Sequence, residues 1–168
     1  MQFRRLVAAD ARLYWETRNR GLLEFPDAFT TTYEEGLATS PDKLSQRFGS
    51  ENSDDFVMGA FSTDGGLVGY AGFQRETRLK NRHKGTLIGM YVIPESRGQQ
   101  VGRVLLDRLI SEVRALENME LLNLTVTHSN DGARTLYLRS GFLTFGLERN
   151  ALKTGGRYYD KEHMVLVL

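Results

Sequence analysis

No cysteine occurs among the 168 residues. That excludes disulfides, a thiol nucleophile and cysteine-ligated zinc or iron–sulfur centres. No apolar run approaches the length of a bilayer span. Met1 to Asp10 hold no apolar core of signal-peptide length, so a cytoplasmic protein is expected. Neither sign of charge dominates. Lys and Arg number 22 and Asp and Glu 21, a formal net charge of +1. No global field therefore directs the protein to nucleic acid or membrane. Two familiar phosphate motifs are also missing, the P-loop Gly-x-x-x-x-Gly-Lys-Ser/Thr and the dinucleotide Gly-x-Gly-x-x-Gly. Repeats and low-complexity stretches are absent, and the length suits one domain over 1–168.

What is present centres on Tyr91-Val92-Ile93-Pro94-Glu95-Ser96-Arg97-Gly98-Gln99-Gln100-Val101-Gly102-Arg103. An apolar strand stops at Pro94, which cannot donate to a ladder. A polar turn with Gly98 follows. An amphipathic helix then starts near Val101, with Val104, Leu105, Leu109, Val113 and Leu116 at helical spacing. Strand, glycine-bearing turn and helix aim free backbone N–H groups at an anion. Arg97 and Arg103 add guanidinium forks suited to phosphate oxygens. The residues read as a pyrophosphate cradle or as a plain β–α connection with surface arginines.

Along the chain, Phe3 to Leu6 reads as a strand. Asp10 is placed to cap a helix through Tyr14, Trp15 and Arg18 that Gly21 ends or kinks. Leu22 to Phe29 reads as a loop with apolar anchors, Glu34 to Ala38 as a weak helical patch, and Ser40-Pro41-Asp42 as a helix start. Ser50 to Asp55 reads as a polar loop. Strands at Phe56–Phe61 and Leu67–Phe73 flank the hairpin turn Asp64-Gly65-Gly66. A charged connection, Arg75 to Lys84, leads to the strand Thr86–Ile93. A strand at Leu121–Val126, apolar on both faces, suits a buried position. Asn130 can cap a helix that Gly141 stops. A strand at Phe142–Leu147, a loop at Arg149–Gly156 and a final strand at Tyr158–Leu168, partly buried on both faces, complete the order. It describes a mixed sheet with helices on both faces.

This order, with this motif on this turn, resembles the GNAT superfamily of acetyl-CoA-dependent N-acetyltransferases, most densely from Met90 to Phe142. The family's phosphate signature is Arg/Gln-x-x-Gly-x-Gly/Ala. Here it reads Arg97-Gly98-Gln99-Gln100-Val101-Gly102, with Gln100 where glycine is usual. The second pattern, Asn-x-x-Ala-x-x-Leu-Tyr-x-x-x-Gly-Phe, is complete in Asn130, Ala133, Leu136, Tyr137, Gly141 and Phe142. The resemblance implies an α/β fold of the α+β kind: a mixed, mostly antiparallel central sheet flanked by helices on both faces. It implies acetyl-CoA as cofactor. Backbone at Tyr91 and Val92 would meet the acetyl and pantetheine groups along a splayed strand edge. Arg97, Gly98, Gln99, Gln100, Val101, Gly102 and Arg103 would hold the pyrophosphate, with Gly102 permitting close approach. Gln100 keeps its N–H useful if its backbone is right-handed. Asn130 and Ala133 would lie beside pantetheine, Asn130 capping its helix as well.

The same resemblance makes Tyr137 the catalytic acid, since a phenol beside the sulfur can donate as thiolate charge develops. A buried core tyrosine is the alternative. No carboxylate or imidazole lies on the strand before the turn, so the base is sought elsewhere. Glu76 leads, at the end of the neighbouring strand, ahead of His83 and His128. Glu24, Asp27, Glu34 and Glu35 can attract a cationic amine such as a polyamine, or can form a solvated edge. The expected partner is an amine-bearing small molecule or peptide, with no nucleic acid or membrane, on a monomer or homodimer. A non-catalytic acyl-CoA sensor on the same fold is the competing function. Nucleic-acid binding through Arg75, Arg78, Lys80, Arg82 and Lys84 is less favoured, because the run lacks interleaved aromatics.

Overall fold

The computed structural model describes residues 1–48 and 54–168. Of the expected polar loop over 50–55, residues 50–53 lie outside the described residues. The strands are β1 (Gln2–Arg5), β2 (Phe56–Phe61), β3 (Leu67–Arg75), β4 (Lys84–Val92), β5 (Leu121–Thr127), β6 (Leu143–Thr154) and β7 (Arg157–Val167). They form one sheet in the order β1-β2-β3-β4-β5-β7-β6. Its neighbours are antiparallel except β4 and β5, which run parallel. The helices are α1 (Ala11–Glu24), α2 (Tyr33–Ala38), α3 (Pro41–Phe48), α4 (Val101–Arg114) and α5 (Asp131–Arg139).

The two faces of the sheet are covered separately, because strand side chains alternate. On β2, Phe56, Met58 and Ala60 join the core under α4, whereas Val57 and Phe61 join the core under α1 and α3. Leu105, Leu106, Leu109 and Val113 give α4 a fully buried stripe. It packs in one cluster with Phe73, Leu122, Met164 and the α5 residue Tyr137. Ala11, Tyr14 and Leu44 cover the opposite face over Tyr70 and Tyr91. The mixed, mostly antiparallel sheet with helices on both faces is as expected.

Several local expectations change. Asp10 makes no side-chain bond to the start of α1. It grips Arg4 bidentately at 2.6 and 2.9 Å and accepts the Val7 N–H at 2.8 Å, and so ties β1 to the turn before the helix. Gly21 neither ends nor kinks α1. A Cβ there would come 3.0 Å from the Tyr91 ring, so the glycine lets the helix rest on that ring. The weak patch is a helix, α2, held by a capping box between Thr32 and Glu35. The loop expected over 149–156 is mostly strand. A register shift between Glu148 and Leu152, with Asn150 at φ +54°, keeps β6 paired to Thr154. β7 keeps the expected partial burial of both faces, with Met164 and Leu166 buried on one and His163 and Val165 half-buried on the other, and only Val167 at its end is exposed, at 71%.

Two irregularities of β4 prepare the site. Tyr70 pairs with Tyr91 but Gly72 pairs with Ile88, so β4 carries one extra residue. Gly89, at φ +54°, sits in this bulge, the left-handed position that a glycine fills without steric cost. β4 also pairs with β5 only from Lys84 to Thr86. Beyond Thr86 the two strands part and leave a wedge with a free β4 edge.

Candidate active site

Two cavities open at that wedge. The larger, about 730 Å³, is bounded by the Phe25–Phe29 loop, the end of β4, the turn into α4 and the start of α5. The smaller, about 360 Å³, lies among α1, the Ala28–Thr31 segment, β4, β5 and β7. They share Ala28, Phe29, Met90, Asn130, Ala133 and Tyr137 as a common wall.

Most residues singled out from the sequence line the larger cavity: Tyr91 and Val92 from β4, Arg97, Gly98 and Gln100 from the turn, and Val101, Gly102 and Arg103 from α4. Gln99 does not line it. Its side-chain amide donates to the Glu95 carbonyl at 3.3 Å. The Tyr91 ring turns toward α1, where its hydroxyl donates to Glu24 at 2.8 Å. The Arg97 Nε donates to the Val92 carbonyl at 3.0 Å, and its guanidinium lies 4.5 Å from the Phe25 ring centre. The Arg103 Nε–H is shared between the two carboxylate oxygens of Asp107, one turn along α4, at 2.8 and 3.0 Å.

The backbone of Gln100 is left-handed, φ 60° and ψ 10°, the costlier of the two conformations and not the right-handed one on which the usefulness of its N–H was conditional. Together with Gly98 at φ +75° it curls the turn so that α4 begins at the cavity wall with its first N–H groups unsatisfied by the helix. A non-glycine residue in this conformation costs about 1–2 kcal/mol, and glycine's extra chain entropy offsets about 0.4–1 kcal/mol of that gain. Gln100→Gly should therefore raise the melting temperature by about 1–3 °C and leave the KM for acetyl-CoA within about twofold. A lower melting temperature, read by thermal denaturation, would contradict this reading. At Gly102 an added Cβ would meet only Met90, Leu136 and Val92 at 3.6–3.8 Å, ordinary contacts. No close approach of the protein's own atoms therefore requires a glycine there, although Gly102 lines the larger cavity.

Asn130 accepts the Ala133 N–H at 3.2 Å, the expected cap of α5. The other end of α5 fixes Tyr137. The Phe142 N–H donates to the Tyr137 carbonyl and the Gly141 N–H to the Leu138 carbonyl, both at 3.1 Å. This is a Schellman closure, with Gly141 at φ +94°. The rings of Tyr137 and Phe142 then pack at 5.8 Å. The Tyr137 hydroxyl meets Met90 Sδ at 3.8 Å, a weak acceptor. Burial pushes its pKa above the ordinary phenol value.

The structure does not bring Glu76 to either cavity. Its N–H pairs with the Lys84 carbonyl, roughly 20 Å along β4 from Met90 by strand rise. β3 and β4 are antiparallel, so the end of β3 lies beside the start of β4, away from Val92. His83 sits at the same remote end, its carbonyl accepting from Glu120 and Leu121. His128 lines neither cavity. Its Nδ1 lies 2.6 Å from Glu162, which also pairs with Arg134 at 2.8 Å. Nor do the four acids gather around an amine. Glu24 bonds Tyr91 and Arg20, Glu35 caps α2, and Glu34 borders a third cavity of about 340 Å³. Asp27 lines the larger cavity.

The sequence reading missed the Gly89 bulge, Met90 beside Tyr137, and two cations on the smaller cavity, Arg18 and Lys161. A glycine inside an apolar strand was the available signal for the bulge. The cations had none, since only the fold brings α1 and β7 together.

Residues 22–142 match the model of the acetyltransferase (GNAT) family. Among solved structures, an acetyltransferase of the GNAT family from Streptococcus pneumoniae superposes with a TM-score of 0.92 at 23% identity, over 99% of each chain. A ribosomal-protein-alanine N-acetyltransferase from Brucella melitensis gives 0.84 at 24%, over 100% of each chain. A GNAT superfamily phosphinothricin acetyltransferase from Sinorhizobium meliloti, in complex with AcCoA, gives 0.84 at 25%, over 99% of this chain and 88% of that one.

Proposed function

The chain belongs to the GNAT acetyltransferase family, whose cofactor is acetyl-CoA, and from that membership we propose that it acetylates a primary amine of a small molecule or peptide. The observation that carries the reading is the common wall of the two cavities, with the buried Tyr137 hydroxyl in it. The larger cavity suits the cofactor. Free N–H groups at the start of α4, with Arg97 and Arg103, would hold the pyrophosphate. The free edge of β4 beyond Thr86 would pair with pantetheine amides, beside Asn130 and Ala133. Bound there, acetyl-CoA supplies an acetyl group activated as a thioester.

The smaller cavity would hold the amine. Its nitrogen bonds to the acetyl carbon, the carbon–sulfur bond breaks, and sulfur leaves with the electron pair. N–H groups of the β4 edge stabilise negative charge on the acyl oxygen. Tyr137 donates a hydrogen bond or its proton to the sulfur. The proton lost by the amine passes to water. Arg97→Ala should raise the KM for acetyl-CoA about tenfold or more while changing kcat less. A charge-assisted bond is worth about 1.5–3 kcal/mol, and the pyrophosphate is remote from the reacting carbon. Unchanged cofactor affinity in steady-state kinetics would remove Arg97 from the cradle.

One observation favours a non-catalytic acyl-CoA sensor instead: among the described residues no Asp, Glu or His lines the smaller cavity. Release of free thiol from acetyl-CoA across a panel of amines, amino acids and peptides separates the two. Turnover with any of them establishes the enzyme. Acetyl-CoA binding without thiol release from all of them supports the sensor.

A further inference from the structure

Among the described residues the smaller cavity has two charged side chains in its lining, and both are cations. Arg18 comes from α1 and is partly buried. Its guanidinium rests against Gly36 of α2, where an added Cβ would lie 3.4 Å from it. Among the described residues no carboxylate forms an ion pair with Arg18. Lys161 comes from the start of β7. Its ammonium donates to the Thr30 hydroxyl at 2.7 Å, and it too has no ion pair among the described residues. Glu148 is its cross-strand neighbour, but that carboxylate bonds His163 at 2.9 Å. The remaining polar lining is neutral: Thr30, Thr31, Thr86, Thr125 and tyrosine hydroxyls, with Asn130.

This is the wrong field for a polycation. A protonated polyamine entering here would meet two positive charges in the lining and, among the described residues, no carboxylate there, Glu148 lying beside Lys161 but outside the cavity. Partly buried cations without carboxylates are also costly unless an anion joins them. The cofactor's pyrophosphate does not meet that need, because Arg97, Gly98 and the α4 start line the other cavity and not this one.

We infer that the acceptor carries an oxyanion, most simply a carboxylate, bound between Arg18 and Lys161 while its amine faces Tyr137 and Met90. Substrates are then amino acids or related anionic amines rather than polyamines or aminoglycosides. This rests on the acetyltransferase reading and narrows it. Arg18 and Lys161 set specificity. Neither acts on the reacting atoms.

The test compares each L-amino acid with its carboxamide, and an aminoalkylphosphonate with its neutral diester, in the thiol-release assay. Amidation lowers the pKa of the α-amine and so increases its reactive fraction, so a preference for the acid cannot come from amine basicity. The expected result is kcat/KM at least tenfold higher for the acid of the preferred pair, the scale of one charge-assisted contact. Arg18→Gln and Lys161→Gln should each remove most of that preference, chiefly through the acceptor KM. The KM for acetyl-CoA should stay the same, and Arg18→Lys should restore part of the preference. Preference for the phosphonate over every carboxylate keeps the anion site and changes only its oxyanion. Amides or polyamines turned over as well as acids would overturn the proposal, as would variants that slow acid and amide equally. Failure to bind acetyl-CoA, read by calorimetric titration, is failure of the enzyme reading itself. Turnover of uncharged or cationic amines with no anionic amine turned over defeats this inference alone, whereas acetyl-CoA binding with no amine of any kind turned over is again failure of the enzyme reading.

Discussion

Tyr137→Phe should lower kcat by about 10²-fold, the lower end expected of a positioned acid, with the KM for acetyl-CoA little changed. The magnitude follows from the surroundings of the hydroxyl. Burial pushes the phenol above its ordinary pKa, so it keeps its proton at every pH where the protein is assayed. A thiol titrates near 8.5 and an unperturbed phenol near 10. Complete transfer to the sulfur is therefore uphill, and the larger part of the effect is a hydrogen bond that strengthens as negative charge develops. Stability gives a clean control. The ring packs on Phe142 at 5.8 Å, and the hydroxyl touches only the weak acceptor Met90 Sδ at 3.8 Å. Removing it deprives no strong partner, so the melting temperature should hold. A kcat within about threefold of wild type in steady-state assays would sink the role of Tyr137 as acid and leave it a core residue.

The parts of the site that were legible in the sequence are those whose geometry is local. Asn130 and Gly141 state the two ends of α5 by cap chemistry, and the local closure that holds Tyr137 is completed by the next residue, Phe142. The turn from Pro94 to Val101 was legible for the same reason. Its handedness was not, because glutamine prefers the right-handed basin and Gln100 takes the other, φ 60° and ψ 10°. Asn150 misled in a related way. A polar, charged stretch reads as loop, whereas one left-handed residue lets β6 bulge and continue. Glu76 was a failure of direction. It was placed beside β4 correctly, but an antiparallel neighbour puts its own end at the far end of the strand. Arg18 and Lys161 share one cavity although most of the chain separates them in sequence. No local pattern records that meeting, which depends on the wedge between β4 and β5.

The value of kcat/KM should rise tenfold per pH unit until it reaches the acceptor's own pKa. Among the described residues no Asp, Glu or His lines the smaller cavity, and Glu76, His83 and His128 all lie outside both cavities. With no side chain to take the proton at the point of attack, the reaction draws on the amine already neutral in solution. A lysine-type amine, pKa about 10.4, is roughly a thousandfold protonated at pH 7, and a peptide α-amine near 8 about tenfold. The first should gain about 10³ between pH 7 and 10, and the second should level off near pH 8. Tyr137 adds no falling limb in that range, because its raised pKa keeps the acid form present. The decisive measurement is the position of the break for two acceptors of different basicity. A break that follows the acceptor means the solvent takes the proton. A break fixed near neutral pH for both, and abolished by Asp27→Asn in the larger cavity, means that the chain supplies a base and that Asp27 reaches the amine from across the common wall.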